Sequence, residues 1–181
     1  MIETKQIEIP LSKIKLTLML FGSIAFVAAG IWMVTSPNAF STSHRTHNPI
    51  IVFVIGAASI LFFGLCLVYI AIKLTDYAPG LIISDEGIYD NSSGVSVGLI
   101  PWTDIKKIEI SNAGRQRFIV LVVKNPKHYI NRQKSFITRK AMEMNYKHFG
   151  SPINISANGL KTRFDELLLL LESELNDRKA D

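Results

Sequence analysis

Cysteine and histidine are scarce in this chain of 181 residues. The single cysteine, Cys66, lies inside an apolar run, so a disulfide within one chain is impossible and no Cys/His pair is placed for nucleophilic catalysis. A thiolate zinc site needs several Cys or His in one place. His44 and His47 have no third ligand nearby, and His128 and His148 are distant in the chain. We therefore expect no metal and no cysteine chemistry.

Charge is missing from two long stretches, residues 16–34 and 50–72. As helices these 19 and 23 residues would be about 28 and 34 Å long, at about 1.5 Å per residue. The hydrocarbon core of a bilayer is about 30 Å thick. The two stretches therefore predict two transmembrane helices, and the lipid bilayer is the first expected partner.

Positive charge is distributed unevenly around the two stretches. Three lysines precede the first stretch and Lys73 follows the second, whereas the connection between them carries Arg45 as its one charged residue. Basic residues in short flanks stay on the cytoplasmic side of a membrane. The pattern predicts a hairpin with both termini in the cytosol and a short outer loop, residues 36–48.

An alternative interpretation makes the first stretch a cleaved signal peptide. A signal has an apolar segment of about 7–15 residues followed by a small-residue cleavage site. Here the stretch is longer, and the nearest small residues, Ala28-Ala29-Gly30, lie inside it and are followed by further apolar residues. We favour retention, which divides the chain into an N-terminal lead with the hairpin, residues 1–76, and a domain, residues 77–181.

Short strands and tight turns follow the second stretch. Short apolar segments alternate with turn-forming sequences such as Asp85-Glu86-Gly87 and residues 91–94. Residues 118–123 are the strongest strand candidate, because all six are apolar and four are β-branched. This pattern predicts an antiparallel sheet or part of a barrel.

Two helices are predicted in the last third of the chain. From residue 128 to 149 the hydrophobic period becomes helical. Residues 162–178 form the second predicted helix, with Thr162 as its N-cap. The predicted apolar face of the first helix is Ile130, Ile137, Ala141 and Met144. The predicted apolar stripe of the second helix is Phe164, Leu167, Leu168, Leu171 and Leu175.

Several segments resemble bacterial membrane proteins. Asp85-Glu86-Gly87-Ile88 and the later Ile100-Pro101-Trp102-Thr103-Asp104-Ile105 match the patterns D-x-G-I and I-P-W-x-D-I of bacterial PH-like membrane proteins. Residues 96–102, 123–126 and 129–134 resemble segments of an uncharacterised two-span family with a PH-like C-terminal domain. The likeness extends over nearly the whole chain.

The resemblance implies an α+β protein, in which a two-helix transmembrane hairpin precedes a small antiparallel PH-like β domain. A C-terminal helix would close one end of the sheet, and the basic helix after Val123 would be an insertion. Trp102 is expected to anchor the core, Asp104 to organise a turn, and Gly87 to occupy a turn position that tolerates positive φ. The resemblance assigns no activity.

No group of residues predicts catalysis. Asp85-Glu86 and Asp104 lie in turns beside strands, where solvated turns explain carboxylates better than acid–base catalysis does. The glycines from Gly80 onward are too dispersed to form a loop that cradles a phosphate. We therefore predict that the protein is not an enzyme and has no catalytic residues, cofactor or metal.

Residues 124–147 form the most basic part of the chain, with seven cations against Glu143. Each cation near an anionic leaflet contributes about 1 kcal/mol of binding energy. Three interpretations stay open: a solvated helix face, docking on lipid, or binding of a protein partner. The domain has 15 basic and 12 acidic residues and no recognition motif, so nucleic acid is not expected. The candidate lipid- or partner-binding residues are Lys127, Arg132, Arg139, Lys140 and Lys147.

Together these features predict a multi-pass protein of the bacterial inner membrane that acts by binding rather than by catalysis. Its cytosolic domain would bind a protein partner or an anionic lipid surface. Two alternatives give it a defined protein partner: an immunity protein that protects the membrane against a cognate toxin, or an accessory subunit of a membrane complex. No residue in the sequence favours one of these functions over the others.

Overall fold

The computed structural model describes residues 6–40 and 48–180. Its secondary structure combines two long apolar helices, shorter helices and antiparallel sheets, so the predicted α+β class is confirmed. The chain divides into two compact units. The helical unit is Lys13–Tyr77, and the β unit combines the described residues up to Ser12 with those from Ala78 onward.

Five helices and seven strands occur in the described residues. The helices are α1 (Lys13–Thr35), α2 (Pro49–Thr75), α3 (Pro126–Asn131), α4 (Phe136–Phe149) and α5 (Phe164–Ala180). The strands are β1 (Ile7–Ile9), β2 (Leu81–Ile83), β3 (Gly87–Asp90), β4 (Gly98–Pro101), β5 (Ile105–Ala113), β6 (Gln116–Val123) and β7 (Asn154–Ile155).

The two long helices touch through a pair of glycines. A Cβ atom on Gly30 would lie 2.9 Å from the Gly56 carbonyl oxygen, and one on Gly56 would lie 2.8 Å from the Gly30 carbonyl oxygen. The backbones therefore approach each other as closely as small residues allow. Beside this contact the Ser59 hydroxyl donates to the Phe26 carbonyl at 3.2 Å, and the rings of Phe26 and Phe63 stack at 4.3 Å.

Lysine side chains lie at the end of the helical unit where α1 begins and α2 ends. The Lys13 ammonium donates to the Leu74 carbonyl at 2.9 Å and to the Lys73 carbonyl at 3.2 Å. Carbonyls in the last turn of a helix lack an intrahelical donor, so this lysine satisfies the end of α2. The Lys73 ammonium in turn pairs with the Asp76 carboxylate at 3.2 Å.

Both long helices expose most of their apolar side chains. Each is long and apolar enough to cross a membrane, with mean hydropathy of 2.0 for α1 and 2.8 for α2. The core helix of a water-soluble protein would be mostly buried, whereas few positions are buried here. These are Leu16, Ser23 and Gly30 in α1 and Val52, Gly56, Ile70 and Lys73 in α2.

Two antiparallel sheets form the β unit, with strand orders β1-β2-β3-β4 and β5-β6-β7. The whole helical unit separates β1 from β2 in the chain, yet Ile9 pairs with Leu81 in the first sheet. Leu11 then forms an isolated bridge with Leu160. The sequence-based boundary assigns this N-terminal lead to the hairpin. In the structure it contributes a strand to the domain that follows α2.

Helix α5 packs into the β unit with a leucine stripe. Leu167 and Leu171 are fully buried and Leu175 is nearly so, which confirms these three positions of the predicted stripe. The predicted N-cap is wrong, because α5 begins at Phe164 rather than after Thr162. Its first turn is closed instead by the Glu166 carboxylate, which accepts the Arg163 N–H at 3.3 Å.

The single helix predicted over residues 128–149 is also wrong. The structure has α3 and α4 there, separated by residues 132–135. Ser135 has extended dihedrals and its hydroxyl accepts the Thr138 N–H, which starts a new helix. Just before it, the Arg132 guanidinium donates to the backbone carbonyls of Val97, which precedes β4, and of Leu99 within β4.

In α4, the side of the helix that was predicted to be buried is exposed, and the opposite side is buried. Met142 is fully buried, whereas Ile137 and Met144 are 79% and 61% exposed. From the predicted set, Ile130 is buried, and it belongs to α3. Met142, which packs α4 against the domain, was therefore not part of the predicted apolar face.

Gly87 differs from its expected role. It begins β3, and positive φ among the described glycines is confined to Gly98, Gly114 and Gly150. The reason for glycine at this position is space, because a Cβ atom would overlap the carbonyl oxygen of Ile100 on the neighbouring strand β4.

Candidate functional site

The exposed side of α4 is the surface where apolar and cationic residues meet. Met142 anchors the opposite side of the helix in the core. Gly150 ends the helix with φ of 74°, a left-handed conformation that glycine adopts without strain. At 100° per residue, positions 136, 137, 140, 144 and 147 fall on one side of a helix. We name this surface the α4 outer face: Phe136, Ile137, Lys140, Met144 and Lys147.

Large apolar side chains project from the α4 outer face into solvent. Phe136, Ile137 and Met144 are 64%, 79% and 61% exposed. A helix that met only water on this side would carry polar residues there. Three large apolar residues within nine positions instead form a patch of the kind that marks an interaction surface.

Cations border this apolar patch. The Arg139 guanidinium lies 6.0 Å and the Lys140 ammonium 5.9 Å from the centre of the Phe136 ring. Lys140 pairs with the Glu143 carboxylate at 2.8 Å. Within the described part of the chain, Arg139 and Lys147 form no ion pair. Their positive charges are therefore available to an external partner.

The other two predicted site residues lie elsewhere. Lys127 faces a shallow groove between α3 and α4, which Glu143 and Tyr146 also line. Arg132 holds the domain together: its guanidinium donates to the Leu99 carbonyl at 3.2 Å and lies 4.7 Å from the centre of the Tyr129 ring. The apolar members of the α4 outer face were missed, because Ile137 and Met144 read as core positions in the helical period and Phe136 lay outside the predicted face.

The turn carboxylates considered for catalysis bind partners within the domain. Asp85 pairs with Arg178 at 3.2 Å. Asp104 accepts a hydrogen bond from the phenol of Tyr129 at 2.7 Å. Burial raises the pKa of the Tyr129 phenol well above its usual value, and the hydrogen bond to Asp104 raises it further. Both carboxylates therefore have a structural role in the fold.

No group of three or more metal-ligating side chains comes together within residues 6–40 and 48–180. His128 lies in α3 and His148 in α4. The predicted outer-loop residues His44 and His47 lie outside the described residues.

Comparison of the chain with protein-family models, with curated proteins and with solved structures found no match. The resemblance to a two-span family with a PH-like domain stays a prediction. The α4 outer face and the two long apolar helices are therefore the features from which a function is inferred.

Proposed function

We propose that the protein is an integral membrane protein whose C-terminal domain docks on an anionic lipid surface through the α4 outer face, without catalysing a reaction. The observation that carries this proposal is the exposure of Phe136, Ile137 and Met144 beside cations on one side of a single helix. A helix with an apolar patch and flanking Lys and Arg lies in the interface plane of a bilayer.

The helical unit supports the membrane part of this proposal. Helices of 23 and 27 residues extend about 35 and 40 Å, more than the roughly 30 Å of bilayer hydrocarbon. Their exposed side chains include Phe21, Phe62 and Leu65, each more than 60% exposed. In water such a surface would drive aggregation, whereas lipid tails solvate it.

The sheet topology supports placing both termini on the same side of the membrane. Because β1 pairs with β2, the chain before α1 and the chain after α2 belong to one folded unit. Two helices that cross the bilayer in opposite directions return the chain to that side. Cleavage of a signal peptide near Ala28 would remove β1 from the sheet, which argues for retention of the first helix.

The charge distribution supports the cytosolic side. Lys13, Lys15 and Lys73 lie at the end of the hairpin that joins the β unit. Basic flanks face the cytoplasm. We propose the bacterial inner membrane and a PH-like identity on the strength of the sequence resemblance and of the order of elements, in which four- and three-stranded antiparallel sheets precede a C-terminal helix.

Tethering favours lipid as the partner of the α4 outer face. A domain joined to membrane helices by a short connection meets the bilayer at high effective concentration, so weak contacts suffice. Arg139 and Lys147, which form no ion pair within the described residues, would each contribute about 1 kcal/mol near an anionic surface. Insertion of exposed apolar side chains adds roughly 25 cal/mol for each Å² of apolar surface removed from water.

Docking is tested with a fluorescent probe on the α4 outer face of the full-length protein. A Cys66→Ser background removes the single native thiol, and Ile137→Cys then carries an environment-sensitive dye. We expect a blue-shifted emission in nanodiscs that contain phosphatidylglycerol, relative to phosphatidylcholine nanodiscs. High salt should reduce the shift, because it screens charge attraction.

Two controls separate docking from general effects. The same dye at Leu169→Cys, a position 67% exposed on α5, should show no shift. In the Ile137→Cys protein, Arg139→Glu/Lys140→Glu should abolish the shift, whereas Arg115→Glu/Lys161→Glu, which changes the net charge equally, should preserve it. Identical emission from the Ile137 probe in both kinds of nanodisc would contradict the proposal.

Protease accessibility tests the orientation. The C-terminal domain should be protected in intact spheroplasts and digested once the membrane is opened. Trimming of the domain from outside intact spheroplasts would rule out the cytosolic placement.

A further inference from the structure

A second basic site lies in the β unit, away from α4. A cleft of about 500 Å³ opens between the turn after β4, the adjoining ends of β5 and β6, and the last turns of α5. We name it the Trp102 cleft. Trp102, Ile105 and Leu175 line it, and each is at most 7% exposed. Pockets of this size with an apolar floor are typical of sites for small ligands.

Three lysines reach the Trp102 cleft from three separate segments. Lys106 is the second residue of β5, Lys124 follows β6, and Lys179 lies in the last turn of α5. Hydrogen bonds hold these segments together, because the Lys124 N–H donates to the Asp104 carbonyl at 2.8 Å and the Lys179 ammonium donates to the Lys106 carbonyl at 2.6 Å. The fold therefore concentrates positive charge that is dispersed in the chain.

The negative charge in the cleft is already paired. Among the described residues, Asp85 is the one carboxylate that lines the cleft, and Arg178 pairs with Asp85 at 3.2 Å. The same guanidinium pairs with Glu174 at 2.5 Å and lies 4.8 Å from the Trp102 ring centre. Lys106, Lys124 and Lys179 form no ion pair within the described residues. Four cations and Asp85 line the cleft, and Glu174 beside Arg178 adds a second negative charge, so the local excess is two positive charges.

We propose that the Trp102 cleft binds a phosphate monoester, with its phosphate between Lys106, Lys124 and Lys179 and its organic part against the apolar floor. Ammonium groups approaching from several directions suit a compact anion with several acceptor oxygens, whereas a flat carboxylate is better matched by an arginine fork. Lys127, Arg139, Lys140 and Lys147 take no part in this cleft. The proposal is therefore independent of docking by α4.

Two sources could supply the phosphate monoester: a soluble organic phosphate or the headgroup of phosphatidic acid. Binding is measured by the emission of Trp102 in the full-length protein, with Trp32→Phe leaving Trp102 as the single tryptophan. Glycerol 3-phosphate is titrated into protein in phosphatidylcholine nanodiscs, with glycerol as the uncharged control. Parallel samples contain phosphatidic acid in the nanodisc.

A saturable change with glycerol 3-phosphate, and none with glycerol, supports a soluble ligand. A change confined to phosphatidic acid nanodiscs supports the headgroup. Lys106→Gln/Lys124→Gln should weaken either response about tenfold or more, because bonds to charged groups are among the strongest polar contacts. Arg115→Gln/Lys161→Gln, with the same change in net charge, should leave it unaltered.

Absence of a response to both phosphate sources, or equal affinity in the cleft variant and its control, would overturn the proposal. The titrations are repeated with Arg139→Glu/Lys140→Glu, which disables the proposed lipid docking. An unchanged response in that variant separates the cleft from the α4 outer face. Each of the two binding proposals can therefore be disproved independently of the other.

Discussion

At the residue scale, Gly87 was singled out correctly from the sequence, but the reason that this position needs glycine is visible only in the structure. The family resemblance implies a turn position that tolerates positive φ, but the residue is the first of β3 and its φ is not positive. Glycine is required because the carbonyl of Ile100 occupies the space of a Cβ atom. This close approach arises because β3 pairs with β4, and the local sequence around Gly87 does not show which strand will be its neighbour.

Gly87→Ala should destabilise the β unit by roughly 1–3 kcal/mol, the usual effect of overpacking. Thermal unfolding of the full-length protein in mild detergent, followed by Trp102 emission, measures this loss. Gly159→Ala is the matched control, because its Cβ would lie 3.5 Å from the nearest atom, an ordinary contact. Equal unfolding temperatures for the two variants would show that space is not what requires Gly87.

Tyr129 is the second residue whose role depends on contacts distant in the chain. It is 1% exposed, and its phenol donates to Asp104 at 2.7 Å. Because the pKa of the phenol is raised in the folded protein, the folded chain keeps this proton to higher pH than the unfolded chain does. Its contribution to stability is complete below about pH 10 and is lost as the pH rises further.

Tyr129→Phe should therefore lower stability by about 1–2 kcal/mol at neutral pH, since it removes a buried hydrogen bond. It should also flatten the decline of stability in the alkaline range. Unfolding temperatures measured across that range test both effects, and Tyr89→Phe, at a position 45% exposed, is the control. An alkaline decline as steep as in the unaltered protein would refute this role of Tyr129.

The pKa of Asp165 is shifted in the opposite direction, to below its usual value. Its carboxylate accepts hydrogen bonds from the Arg117 guanidinium at 2.8 and 3.3 Å, and these lower its pKa. The contribution of this exposed pair is present above about pH 4, the usual value for the unfolded chain, and disappears at lower pH. The pair joins β6 to the first turn of α5, so acid is expected to remove this contact between the two elements.

At the scale of elements, α4 shows why hydrophobic period alone does not orient a helix. The helix has apolar residues on two sides, with Met142 on one and Ile137 and Met144 on the other. A period of 3.6 residues identifies the helix but not which side meets the domain. The packing of α4 decides this, and it leaves the larger apolar surface outside.

The two methionines of α4 provide a direct test of that orientation. Met142→Ala should cost about 2–5 kcal/mol of stability, because it empties a fully buried site. Met144→Ala, at a position 61% exposed, should change stability by less than about 0.5 kcal/mol. Thermal unfolding of the two variants makes the comparison. A larger loss for Met144 would restore the face predicted from sequence and remove the basis for the α4 outer face.

At the scale of the whole molecule, β1 joins the two ends of the chain into one domain. The Ile9–Leu81 pair connects residues that are separated by both long helices. Under the proposed membrane placement, this pairing requires both ends of the hairpin to emerge on the same side of the bilayer. The domain after α2 is therefore incomplete without the residues before α1.

Ile9→Ala should destabilise the domain by at least about 2 kcal/mol, because Ile9 is 7% exposed and faces the core. Glu8→Ala on the same strand, whose side chain is exposed, should have an effect below about 0.5 kcal/mol. Unfolding of the full-length variants, followed by Trp102 emission, is the measurement. Equal stability of the two would mean that β1 contributes nothing to the domain.

The features that the sequence predicted correctly depend on short-range patterns. Two uncharged apolar stretches predict α1 and α2 from length and composition alone. Strand β6 follows from a run of β-branched residues, and the buried positions Leu167, Leu171 and Leu175 follow from the helical period. In each case the pattern lies within one helix or strand. Within a single element, the separation of two residues along the chain determines how far apart they lie in the structure.

Tertiary structure alone decided the remaining features. The basic stretch, residues 124–147, reads as one surface in the sequence, but folding directs Lys124 to the Trp102 cleft, Arg132 to the backbone of β4 and Lys140 to the α4 outer face. The partner of β1 and the reason for Gly87 likewise depend on which strands become neighbours. Contacts between segments distant in the chain follow from packing, and no local period records them.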